Sequence, residues 1–120
     1  MAALMESARP PEIVDLRELR AAELEPLLHE EIRTWQESLD WDFQKSADLV
    51  RRFVDLRSLN GCALIDGGTV MGYAYFVLEE HKGLIGDLYM RRSIRTGHGE
   101  ARLLNGVLDE MMRDDRVRGR

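Results

Sequence analysis

The chain has 120 residues, 44% hydrophobic and 32% charged, with a formal net charge of -5 and one cysteine. That length makes one domain, large enough to bury roughly two-thirds of the surface its unfolded chain exposes. The mixed-sign charge excludes a disordered composition, and the net negative charge argues against nonspecific nucleic-acid binding, which calls for a basic face. A lone Cys62 forms neither an internal disulfide nor a metal framework and suits a reducing, cytoplasmic setting.

In chain order, residues 1–11 read as a loose leader ending at Pro10-Pro11, with no long apolar stretch of a secretory signal. No segment approaches the ~20 apolar residues that span a membrane. Glu12 to Arg20 (EIVDLRELR) reads as a strand with imperfect alternation. From Ala22 the period changes, and Leu24, Leu28, Ile32, Trp35 and Leu39 mark one helix face, with Pro26 expected in the first turn. Ser46 is expected to cap a second helix with an apolar stripe of Leu49, Val50, Phe53, Val54 and Leu56, closed by Asn60-Gly61.

Three strand-like runs follow: Cys62 to Asp66, Val70 to Glu79 and Leu84 to Met90. Asp66-Gly67-Gly68-Thr69 is a strong hairpin signal, and His81-Lys82-Gly83 is the second turn. A last helix carries Leu103, Leu104, Val107, Leu108, Met111 and Met112 on one side, and a charged tail runs from Arg113 to Arg120. The expected fold is α+β in the order β-α-α-β-β-β-α, a mostly antiparallel sheet with helices on its faces. Residues 12–113 are expected to form the N-terminal part of one domain, with no internal repeat.

The segment MRRSIRTGHGEARLL, Met90 to Leu104, concentrates the chemistry. A strand ends, a polar loop turns, and Gly97 and Gly99 sit where a helix begins. The first N–H groups of a helix lack internal partners and, with the positive end of the dipole, form an anion site. Glycine lets the backbone approach a phosphate, and Arg91, Arg92 and Arg95 add positive charge. The segment is not a P-loop, because Gly99-Glu100-Ala101 stands where Gly-Lys-Ser/Thr is required. Hairpin-length turns between the preceding strands exclude a dinucleotide fold built from parallel βαβ units.

This arrangement, from Glu12 to Met112, resembles the GNAT superfamily of N-acetyltransferases. That family has a strand, two helices and three antiparallel strands, the last leading through an Arg/Gln-x-x-Gly-x-Gly/Ala loop into a helix. Gly97 and Gly99 match the glycine positions and Met90 the apolar strand end, whereas the Arg/Gln position falls on Ile94, with Arg95 beside it. The resemblance implies an acyltransferase that moves acetyl from acetyl-CoA to an amine of a small molecule or protein, without a metal. Tyr89 and Met90 are then expected to meet the pantetheine arm through their backbone. Arg95, Thr96, Gly97, His98 and Gly99 would surround the pyrophosphate, Asp87 would take the amine's proton, and Trp41 and Phe43 would border the acceptor. No nucleic-acid or membrane partner is implied. The family's fifth strand, and the later helix that often supplies a tyrosine as general acid, are expected beyond Arg120. The fourth strand is accordingly expected to be an open edge that supports homodimerisation or strand pairing. The competing reading is a non-catalytic GNAT-like module that binds CoA or a protein partner.

Overall fold

The computed structural model describes residues 11–80, 82–92 and 97–113; the expected leader through residue 10 and the tail from residue 114 lie outside them. The order is β1 (Glu12–Asp15), a 3-10 turn (Leu16–Glu18), α1 (Ala21–Leu39), α2 (Gln44–Asp55), β2 (Asn60–Asp66), β3 (Thr69–Glu79), β4 (Lys82–Met90) and α3 (Gly97–Arg113). The fold is α+β, a four-stranded antiparallel sheet in the order β1-β2-β3-β4. Helices α1 and α2 cover one face and α3 the other.

The Asp66–Thr69 hairpin forms as expected: Asp66 pairs with Thr69, and Gly67 and Gly68 take φ of 61° and 82°. Only residues that tolerate positive φ can occupy both central positions of such a tight turn. Successive residues of β3 and β4 then point to opposite layers. Tyr73, Tyr75 and Tyr89 join the α1/α2 core, whereas Ala74, Phe76 and Met90 join the α3 core.

The structure corrects several local expectations. The first strand stops at Asp15 instead of running to Arg20, because the Asp15 carboxylate accepts the Arg17 N–H at 2.8 Å and turns the chain into the 3-10 segment. Pro26 lies in the second turn of α1, which leaves the exposed Ala22 carbonyl without its helical donor. Helix α2 begins at Gln44, whose N–H is taken by the Asp42 carboxylate at 3.0 Å, so Ser46 lies inside the helix. It ends at Asp55, and the positive φ falls on Arg57 rather than on Asn60-Gly61, which belong to β2. Lys82 and Gly83 belong to β4 instead of the preceding turn.

Each helix buries a narrower stripe than its apolar residues suggest. In α1 the buried set is Ala21, Leu24, Leu27, Leu28, Glu31 and Thr34, while Leu39 is exposed. In α2 it is Ala47, Val50 and Val54, while Leu49, Phe53 and Leu56 face solvent. In α3 Leu103, Val107 and Met111 are buried, but Leu104, Leu108 and Met112 are exposed.

Candidate functional site: a buried carboxyl cluster beside a helix start

Asp87 owes its position to an irregularity in β4. Tyr75 pairs with Asp87, but Phe76 pairs with Ile85, so Gly86 is one residue too many. A β-carbon at Gly86 would collide with the Tyr75 ring, so glycine permits the bulge. Beyond it, Asp87 lies on the α1 side of the sheet, half-buried. Directly across is Glu31, which is 0% exposed.

Glu31 is held from three directions. Its Oε1 accepts the Tyr73 hydroxyl at 2.7 Å, its Oε2 accepts the Trp35 indole N–H at 2.9 Å, and its carboxyl hydrogen-bonds that of Asp87. The Tyr73 oxygen also lies 3.2 Å from Asp87 Oδ2. Burial, followed by the hydrogen bond and negative charge of Asp87, pushes Glu31 up to about 9. Burial and the charges of Glu31 and Asp87 likewise raise Tyr73 well above an ordinary phenol, so it stays neutral.

A second polar group adjoins the first. The Tyr89 hydroxyl donates to Glu30 Oε2 at 2.7 Å, so the 2.8 Å contact with Thr34 Oγ1 is a donation from the threonine. The Arg92 backbone N–H also reaches Glu30 Oε2, at 2.8 Å. Burial favours neutral Glu30, but the Arg92 N–H, the Tyr89 hydroxyl and the charges of Arg91 and Arg92 outweigh it and hold the carboxyl below its usual range. Trp35 meets Tyr89 edge-on at 6.2 Å and Trp41 at 5.8 Å, carrying the aromatic wall toward the surface. Among the described residues, no buried side-chain nitrogen or oxygen lacks a hydrogen-bond partner.

The strand end links this cluster to the helix start. Tyr89 belongs to the cluster, while its neighbour Met90 packs under the first turn of α3. A β-carbon at Gly99 would lie 2.7 Å from Met90 Cε and 3.3 Å from Leu64 Cδ2. Glycine at 99 therefore lets the helix start sit close to the sheet without displacing those side-chain ends, whatever it binds. A cavity of about 340 Å³ opens there, lined in part by Met90, His98, Gly99 and Arg102.

The expected site residues fare unevenly. Asp87 and Tyr89 come together on one face of the sheet; Met90, Gly97, His98 and Gly99 gather at the start of α3. Arg95 and Thr96 lie outside the described residues. Two of the arginines read as phosphate-directed are engaged elsewhere. The Arg91 guanidinium donates to the Val70 carbonyl at 3.2 Å, and Arg92 reaches Glu37 at 3.5 Å as well as Glu30. Phe43 is 3% exposed and belongs to the core, whereas its neighbour Trp41 is 45% exposed. Glu31, Glu30, Thr34 and the Tyr73 hydroxyl went unrecognised in the sequence reading. One signal was present: Glu31 lies seven residues after Leu24 and three after Leu28, a carboxylate on the apolar stripe of its own helix.

Compared with protein-family models, curated proteins and solved structures, the chain matches none.

Proposed function

We propose that the chain is the acetyl-CoA-binding part of an N-acetyltransferase of GNAT type, acting on an amine of a small molecule or protein. The observation that supports this reading most is the placement at the end of β4. Consecutive residues Tyr89 and Met90 join a carboxyl cluster on one face of the sheet to a glycine-bearing helix start on the other. The N–H groups of α3 would hold the pyrophosphate. The amine nitrogen would attack the thioester carbonyl, forming the N–C bond as the C–S bond breaks. Asp87 would receive the amine's proton, and the departing thiolate would take one from solvent or from an acid.

Titration calorimetry with acetyl-CoA tests the reading. Saturable binding that is lost in Gly97→Trp, with the fold retained by circular dichroism, is the expected result; no binding to the intact protein overturns it. The exposed Leu104, Leu108 and Met112 on α3 favour a second reading, a non-catalytic module that binds a protein partner. In that case Gly97→Trp leaves partner binding intact.

A further inference from the structure

The contacts of the carboxyl cluster can be counted proton by proton. Tyr73 carries one hydroxyl proton but contacts two carboxyls, Glu31 at 2.7 Å and Asp87 at 3.2 Å. The shorter contact takes that proton. Trp35 supplies one more, to the other oxygen of Glu31. Neither serves the direct hydrogen bond between the carboxyls of Glu31 and Asp87. Two ionised carboxylates have no proton to place there, and they repel one another in a poorly solvated site.

Among the described residues, no cation pairs with them. The groups that face Glu31 are Tyr73 and Tyr75 from β3, both raised by burial, and Asp87 from β4. On its own helix, Glu30 is turned toward Tyr89 and Arg92, with Tyr89 completing the β4 side. Among the described residues, no ion pair includes Glu31 or Asp87. The two acids differ in solvation: Glu31 is fully buried, whereas Asp87 is half-buried on the outer strand.

We propose that Glu31 and Asp87 share a single proton that resides on Glu31, so that Glu31 is a positioning residue which donates to Asp87 and holds it as the anionic member at the sheet edge. The pair carries one negative charge at neutral pH instead of two. Tyr73 and Trp35 fix the orientation of the Glu31 carboxyl, and Glu31 in turn aims Asp87. The proton placement stands on the contacts of Tyr73 with both acids and on their unequal burial. Its use in aiming a proton acceptor rests on the acetyltransferase reading.

Carbon-13 NMR of the side-chain carboxyls, followed from acid to alkaline pH on the intact protein, tests the placement directly. The Glu31 Cδ is expected at its protonated position at neutral pH, moving only in the alkaline range. Asp87→Asn should bring that titration down, because it removes the neighbouring charge. A Glu31 that is ionised at neutral pH, with an ordinary glutamate midpoint, overturns the proposal. Stability gives a second readout with a defined sign. A folded-state proton affinity above the unfolded one stabilises the protein at acid pH and is lost as pH rises through neutrality toward about 9. Wild type should therefore lose stability over that window relative to Glu31→Gln, which can still donate to Asp87; equal slopes count against the pair. If Glu31→Gln does not fold, the wild-type NMR titration still decides. For the positioning role, Glu31→Gln should keep most acetyl transfer while Glu31→Ala loses tenfold or more, a ratio estimate of about one pK unit's worth of energy. A shared proton without acetyl-CoA binding removes the acetyltransferase reading and leaves the proton placement intact; acetyl-CoA binding with an ordinary Glu31 does the reverse.

Discussion

The two faces of the sheet are built by the same strands but differ in the polar groups they bury. Under α3 the buried residues are Cys62, Leu64, Ala74, Phe76, Met90, Leu103, Val107 and Met111, an apolar layer apart from one thiol. That thiol, 3.6 Å from the Leu103 carbonyl, is pushed up to about 12 by burial and behaves as a small hydrophobe. Under α1 the core includes two tyrosine hydroxyls, Thr34 and a carboxylic acid, all hydrogen-bonded. Apolar side chains of the same shape would fill that layer with no desolvation cost. Both faces thus bury apolar side chains, the α1/α2 face the larger set, but only that face also buries polar groups whose arrangement points to chemistry.

The sharpest way to break this contrast is to truncate the apolar side. Leu103→Ala should cost about 3 kcal/mol by urea unfolding, from lost transfer energy and the cavity left behind. A cost near zero would mean that the α3 layer adds little to stability. Next comes Tyr73→Phe on the polar side. It deprives buried Glu31 of its hydroxyl donor and should cost about 2 kcal/mol. It should also move the Glu31 titration further upward, since a hydrogen bond that favours the ionised form is lost. A silent Tyr73→Phe would mean the hydroxyl is not satisfying Glu31. The smallest stability effect is expected at the outer stripe of α3, where Leu108→Glu should change unfolding energy by no more than about 0.5 kcal/mol. Light scattering across a concentration series should nonetheless show less self-association than in wild type, if that stripe and β4 form a contact surface.

Much of the fold was legible in the chain because its signals are local. The Gly67-Gly68 turn reads from two residues, and β3 from one contiguous strand-like run. The start of α3 was legible for the same reason, since Gly97 and Gly99 act through the backbone in their own turn. Helix faces were harder. Leu39, Leu49 and Leu56 continue an apolar period yet lie where nothing covers them, because which flank of a helix is covered depends on the width of the sheet below.

What the sequence by itself determined, then, is the element order, the two-residue hairpin and the glycine-bearing helix start, all consequences of backbone preference and short-range period. Only the tertiary structure decided that Phe43 is core, that Arg91 and Arg92 serve β3 and α1, and that Glu31 faces Asp87. Glu31 and Asp87 are 56 residues apart in sequence. Their meeting depends on the β3–β4 register, the extra residue at Gly86 and the rotation of α1 on the sheet. Each is a long-range packing outcome, and no periodicity in the chain encodes a hydrogen bond between two acids.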